Sequence, residues 1–456
     1  MSFPNNFIWG AAAASYQVEG AFDADGRGLS VWDMLCRKQG AIFGGHTGDV
    51  ACAHYHCYSE DVAVMKQIGL QAYRLSISWT RILPTGTGAI NEKGLAFYDA
   101  LIDALLEAGI TPWVTLFHWD YPYDLYCRGG WLHPDSPQWF ADYTQVVVDR
   151  LSDRVQHWMT QNEPQCYIGL GHHLGVHAPG VKLGWDDILR MTHNSLLAHG
   201  KSVQVIRARA KTPSQVGAVP VGITFMPHSD SPADIEAARA VMFSIRQPDT
   251  WNNTWYADPM ILGGYPEDGL RVYERHMPKV GAGDMTTIAQ PLDFYGCNIY
   301  HGEYIRAGVN GMPEIVDTDA GHPMTMLKWW VRPEALYWGP RFLYERYKLP
   351  VVVMENGLAN QDWVSVDGSV HDPQRIDFTT RYLLALRRAI DDGVPVGGYF
   401  HWSIMDNFEW AEGYSQRFGL VYIDFRTQQR ILKDSAYWYR DVIASNGATL
   451  PASRSG

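Results

Sequence analysis

Two glutamates in this 456-residue chain stand where carboxyl groups can do chemistry. Glu163 follows His157-Trp158-Met159-Thr160-Gln161-Asn162, and Glu355 follows Val351-Val352-Val353-Met354. Each ends a strand-like apolar run, and each adjoins an asparagine, Asn162 or Asn356. Two carboxyls flanking one bond can cleave an acetal. One attacks the carbon, while the other protonates the leaving oxygen and then activates water. Carboxyls about 5–5.5 Å apart take this double-displacement route. Their pKa values must be driven apart, by a cation beside one or an apolar wall around the other. Arg74, at the end of another apolar run, is the candidate cation. One such glutamate more often just bonds loop amides, so the pairing carries the argument.

More polar and aromatic groups follow apolar runs in the same way. These are Gln17 and Glu19, then His118-Trp119-Asp120, then Asn298 and Tyr300. Trp402 ends a last run, with Asn407, Glu409 and Trp410 beyond it. Ring faces suit the C–H surfaces of a sugar, and amides and carboxylates suit its hydroxyls. The chain holds Trp 18, Tyr 25 and Phe 16, more Trp than a core needs. For any single Trp, such as Trp139 or Trp158, plain packing remains the simpler reading.

The elements that must position these groups repeat along the chain. Strand-like runs are Phe7–Ala12, Ala72–Trp79, Pro112–Trp119, Gln156–Thr160, Val219–Phe225, Asp293–Tyr300, Pro350–Met354 and Pro395–His401. Several are near-continuously apolar, as in strands buried on both faces. Helical patterns lie between them. Asn91 can cap a helix with Leu95, Tyr98, Leu101, Ile102, Leu105 and Leu106 on one face. Ser136-Pro137 opens another with Trp139, Phe140, Tyr143 and Val147 inward. Ser59 precedes a third, and Asp377–Ile390 is a fourth. Eight alternating units predict an α/β fold, a single (β/α)₈ TIM barrel with long βα loops. Helices after the fifth and sixth strands are less clear, and 301–330 reads as a long loop. The catalytic barrel is expected over residues 1–443, with a mobile tail over 444–456. A doubly wound sheet is the fallback. In a barrel, chemistry sits where strands end and βα loops begin.

Composition narrows the partners. Lys+Arg 37 against Asp+Glu 49 gives −12, which argues against a basic nucleic-acid-binding face. Neither an apolar membrane span nor a secretory leader is read. Six sparse cysteines without a C-x-x-C pair fit a reduced, cytoplasmic protein, though a Cys52–Cys57 bridge stays open. Oligomeric state is not legible.

At this point the strings resemble glycoside hydrolase family 1, the β-glucosidase family. They are FIWGAAAASYQVEG (7–20), YRLSISWTRILP (73–84), TLFHWD (115–120), TQNEP (160–164), GCNIY (296–300), MENG (354–357) and FHWSIMDNFEW (400–410), with RFGL (417–420) behind. The resemblance implies a retaining β-glycosidase acting on unphosphorylated glycosides, without cofactor or metal. It implies Glu163 as general acid/base and Glu355 as nucleophile, held by Arg74 and Tyr300, with Asn298 near the acid/base. Asn162 would meet the sugar 2-hydroxyl, and Gln17, His118 and Trp119 the 3-hydroxyl. Gln17, Glu409 and Trp410 would serve the 4- and 6-hydroxyl side, Trp402 the ring face, and Trp329 the leaving group. Glucose, galactose and fucose are not distinguished. The chain departs from the family pattern at Gln165 (often Trp), Met354 (usually Thr) and Tyr121–Leu125. Tyr123, Asp124, Gln165, His173 and Trp329 are therefore leaving-group candidates. Two other readings stay open: a metal-dependent barrel hydrolase using His54, His56, His172 and His173, and a sugar-binding barrel that does not cut.

Overall fold

The computed structural model describes residues 2–309 and 312–451. Eight parallel strands close into a barrel: β1 (Ile8–Ala12), β2 (Ala72–Ser76), β3 (Thr111–Phe117), β4 (His157–Asn162), β5 (Gln215–Val219), β6 (Phe294–Asn298), β7 (Val351–Asn356) and β8 (Val396–Trp402). Neighbours in space are neighbours in sequence, and β8 pairs β1 to close the ring. The barrel read from the alternating elements is therefore the one observed. Strand β7 shows why its sequence is unbroken: every residue from Val351 to Asn356 is buried.

Register then gathers the strand ends. Trp402 lies beside Ala12, and Ala12 beside Arg74. Phe117 lies beside Gln161, Asn162 beside Val219, and Glu355 beside Asn298. Six strands thus deliver candidate residues to one end of the barrel.

The outer helices bury the faces that their spacing predicted. Helix Glu92–Glu107 buries Leu95, Tyr98, Leu101, Ile102 and Leu105, while Leu106 is exposed instead. Asn91 sits at its start without capping it; its amide donates to the carbonyls of Asp25 and Arg81. Helix Ser136–Leu151 opens on Pro137 and buries Trp139, Phe140, Tyr143 and Val147. The helix expected after Ser59 begins earlier, at His54, and Asp377–Ile390 is the middle of a longer helix, Pro373–Asp391.

Four expectations need correction. The fifth strand is Gln215–Val219 rather than Val219–Phe225. Pro220 has no N–H for a ladder and interrupts the run, after which only an isolated parallel bridge, Val221 beside Asn298, stays with the barrel. Its end, Thr224–Pro227, instead pairs with Gly302–Ala307 in a small side sheet. True β5 was disguised by Gly217, where a Cβ would collide with the Phe294 ring. The second strand stops at Ser76, and Trp79 opens a short helix. Segment 301–330 is not all loop, since Gly302–Ala307 and Pro313–Ile315 pair in the side sheet. The chain after Ala444 is docked as far as Leu450, which is buried; residues 452–456 lie outside the described residues. All six cysteines are free, Cys52 and Cys57 included.

That docking joins the two ends of the chain. Asn446 accepts from Trp9 Nε1 (2.9 Å) and donates to the Phe3 carbonyl (2.7 Å). Its φ of 48° lies in the left-handed region that asparagine tolerates better than most residues. Asn446→Ala strands a buried indole N–H and should cost about 1–3 kcal/mol, read as a lower urea midpoint. An unchanged midpoint would mean that this contact does not hold the ends.

Candidate active site

Arg74 rises from the middle of β2 and is fully buried. Its guanidinium reaches across the barrel end and touches three strands. Nη1 donates to Glu355 Oε1 (2.5 Å), Nη2 to Asn162 Oδ1 (2.6 Å) and Nε to Thr115 Oγ1 (3.2 Å). Tyr300 Oη donates to the other oxygen of Glu355 (2.8 Å), and its carbonyl is held by Tyr382 Oη (2.9 Å). Asn298 Nδ2 donates to Glu163 Oε1 (2.9 Å) and Asn162 Oδ1 (3.1 Å). Cys166 Sγ donates to Glu163 Oε2 (3.4 Å). Every oxygen of both carboxyls therefore meets a donor, and one network links the pair.

Glu163 just outlasts its strand. Its N–H donates to the Val219 carbonyl (2.8 Å), and its φ is 46°. Trp119 (78°) and Trp410 (46°) share this unfavourable region. Non-glycine residues at positive φ carry backbone strain, which gathers at functional sites. Glu355, by contrast, lies within β7 and needs no special backbone.

The two carboxyls differ in electrostatics. Burial first, and then the Glu355 charge, push Glu163 up to about 8. Burial raises Glu355 too, but Arg74, Tyr300 and Asn298 all pull it back. The proton of the pair therefore belongs on Glu163 and the charge on Glu355. Burial, Glu355 and Glu163 also raise Glu409 to about 8. His118 is pushed well below its usual range by burial and by Arg74, so it is neutral.

A cavity of about 460 Å³ opens over this pair, a size that suits a small ligand. His118, Trp119, Asn298, Tyr300, Trp402, Glu409, Trp410 and Trp329 line it, together with both glutamates. His118 lies near-parallel to Trp402 and Trp410, each 5.9 Å away. Asn162 Nδ2 donates to His118 Nε2 (3.1 Å). Gln17 adjoins Glu409; its amide donates to Asn407 Oδ1 (3.1 Å), the Phe408 carbonyl (2.9 Å) and Glu409 Oε2 (3.4 Å). Gln17 Oε1 and Asn298 Oδ1 are buried acceptors without a protein partner among the described residues, and a hydroxyl can satisfy such groups.

Some expected residues serve elsewhere. The Trp119 indole N–H donates to the Asn162 carbonyl (2.9 Å), so Trp119 presents its ring to the cavity rather than a free donor. Glu19 is paired with Arg81 (3.0 Å) and accepts from Tyr98 Oη (2.6 Å). Asn356 bonds Tyr399 and the Ile299 carbonyl. Of the leaving-group candidates only Trp329 lines the cavity, packed against Tyr300 and His301. Tyr123 faces Tyr126, with Asp124 on the same short helix. His173 packs on Trp185, and Gln165 is buried between loop backbones. His54 pairs with Asp61 and His172 faces the Tyr167 carbonyl. Among the described residues no group of three or more His, Cys, Asp or Glu is placed to hold a metal ion. The sequence reading missed Cys166, His177, Trp251, His301 and Phe418, which also line the cavity. Cys166, His177 and Trp251 lie beyond the strand-like runs, His301 directly follows the run Asp293–Tyr300 and was passed over beside Tyr300, and Phe418 stands inside the string Arg417–Leu420.

Comparison with known proteins agrees with this geometry. The model of Glycosyl hydrolase family 1 matches residues 1–448. A 1,4-beta-D-glucan glucohydrolase of Thermotoga neapolitana is 45% identical over 98% of this chain and 99% of its own length. Beta-glucosidase A of Thermotoga maritima is 43% identical, covering 98% of each chain. The structure of beta-glucosidase from Thermotoga maritima in complex with glucoimidazole superposes with a TM-score of 0.89, covering 98% of this chain and 99% of that one, at 43% identity. With a linked carboxyl pair at the end of a parallel barrel and a match along nearly its whole length, the chain belongs to glycosyl hydrolase family 1.

Proposed function

We propose that this chain is a retaining β-glucosidase, removing terminal, unphosphorylated β-D-glucosyl units from oligosaccharides or from aryl and alkyl glycosides. One observation carries the reading: a single network holds two buried glutamates while giving only Glu355 a cation and a phenol. Galactosides and fucosides are further candidates, and cellobiose is a natural disaccharide to test. Among the described residues no Lys or Arg lines the cavity to offset a 6-phosphate, which would also face the Glu355 charge, so unphosphorylated sugars fit better. Six unpaired cysteines support a reducing, cytoplasmic setting.

The Glu355 carboxylate attacks the anomeric carbon as Glu163 passes its proton to the leaving oxygen. Arg74 and Tyr300 keep Glu355 ionised and aimed. Esterification then removes the charge that held Glu163 up, so its pKa falls and it becomes a base. Glu163 next takes a proton from water, the water attacks the anomeric carbon, and Glu355 departs. Two inversions give net retention. Asn162, fixed by Arg74, Asn298 and His118, is set to meet the 2-hydroxyl. Trp402 and Trp410 supply ring faces, and Gln17 and Glu409 bind hydroxyls on the far side of the sugar.

Glu355→Gly should abolish turnover, and azide should restore it with an α-glucosyl azide product. Glu163→Ala should lose roughly 10²–10⁴-fold on alkyl glucosides, yet far less on dinitrophenyl glucosides, whose leaving group needs no proton. Proton NMR of the wild type should show the β-anomer first; the α-anomer first would contradict double displacement.

The acidic limb of the kcat/KM profile reports protonation of Glu355, and the alkaline limb reports loss of the Glu163 proton at about 8. Both limbs are properties of the interacting pair. The Cys166 thiol favours the charged form of Glu163. Cys166→Ala should therefore move the alkaline limb to higher pH, and Cys166→Ser should move it less. A shift to lower pH would reverse the assigned role of the thiol.

A further inference from the structure

The exposed ring of Trp251 is unusual beside the packed tryptophans of the cavity. It is 43% exposed, although its backbone is tightly held. Its N–H donates to Asp249 Oδ1 (2.9 Å), and Asn252 Nδ2 donates to the Asp249 carbonyl (2.8 Å). Tyr273 Oη donates to that same carbonyl (2.6 Å). Gln165, two residues after Glu163, donates to the Asn252 carbonyl (3.2 Å) and accepts from the Val221 N–H (3.2 Å). The Trp251 ring has no aromatic partner and its indole N–H has no acceptor among the described residues. A rigid backbone thus presents an unengaged aromatic face to solvent.

The ring also stands between two spaces. Ile223, Phe225 and Trp251 line the catalytic cavity, and the same three line an adjoining groove of about 360 Å³. Beyond them the groove carries Arg246, Gln247 and Asp249. Neither Arg246 nor Gln247 has a hydrogen-bond or ion-pair partner among the described residues. An aromatic face flanked by free donors matches a pyranose ring, whose C–H surface stacks while its rim of hydroxyls bonds. A purely aliphatic tail would make no use of those exposed donors.

Building on the β-glucosidase reading, we infer that Trp251 and the Arg246–Asp249 groove form a binding site for a second leaving-group sugar, beyond the one met by Trp329. The ligand class is a β-linked glucosyl oligosaccharide of at least three units. Trp251 is then a residue that determines chain-length preference, and Gln165 positions its loop.

The test is the ratio of kcat/KM for the β-1,4-linked glucosyl trimer to that for the dimer. Each oligomer has one non-reducing end, so length alone gives no statistical gain. The wild type should favour the trimer by roughly fivefold, about one aromatic stacking contact. Trp251→Ala should bring the ratio to about one, and Trp251→Phe should keep most of it. A ratio near one in the wild type, or an unchanged ratio in Trp251→Ala, would overturn the inference. So would a preference for octyl over methyl β-glucoside that Trp251→Ala abolishes while sparing the trimer preference, since the ring would then be an apolar wall. A wild type that cleaves nitrophenyl β-glucoside but shows no trimer preference sinks this inference alone. A wild type that cleaves neither sinks the β-glucosidase reading, and this inference with it.

Discussion

Two carboxyls buried in one hydrogen-bonded network cannot both carry a charge cheaply, and the rest of this site follows from that constraint. Arg74 settles which one is ionised. Its guanidinium bonds Glu355 and, through Asn162, reaches the asparagine that bonds Glu163. Buried charges need a partner and full hydrogen bonding, and Glu355 has both. Glu163 has amide and thiol donors but no cation of its own, so it keeps the proton. A third buried carboxyl, Glu409, strengthens the same pressure. The arrangement gives one acid and one nucleophile from two chemically identical side chains.

The barrel makes the network possible because its members come from five strands or strand ends, β2, β3, β4, β6 and β7. A parallel closed sheet fixes their relative heights by register, and no single loop could do so. The last wall depends on a second buried charge cluster. Lys433 is fully buried and bonds Asp362 (2.5 Å) and Asp406 (2.7 Å). Asp406 also accepts from Arg417 (2.6 Å) and the Gly419 N–H (2.9 Å). That cluster anchors the chain after β8, which carries Asn407, Glu409 and Trp410 toward Gln17. Rigidity below the loop lets polar groups face the cavity without collapsing onto each other.

Much of this was legible in the sequence because strands buried on both faces announce themselves and their polar ends stand out. Glu163, Glu355, Arg74 and Tyr300 came from that signal. The same signal failed where local chemistry broke the pattern. Pro220 made a non-barrel segment look like the fifth strand, and Gly217 hid the true one. Asn356 looked equivalent to Asn162 by position, yet it bonds Tyr399 and the Ile299 carbonyl, because successive residues at a strand end face opposite ways. Glu19 satisfied the strand-end rule but belongs to a buried pair with Arg81. Trp251 and Cys166 were silent, since loop conformation rather than periodicity carries them to the cavity. The aromatic excess divides accordingly. Trp139 and Trp158 pack the body of the barrel, whereas Trp402, Trp410, Trp119, Trp329 and Trp251 line the cavity.

The resting pair carries its proton on Glu163 and its charge on Glu355. Carbon-13 NMR of labelled glutamate carboxyls, assigned with Glu163→Gln and Glu355→Gln, reads this directly. Glu163 should titrate at about 8 in the wild type and markedly lower in Glu355→Gln, with Glu355 already ionised at neutral pH. A Glu163 signal that titrates in the ordinary carboxylate range while Glu355 holds the proton would contradict it.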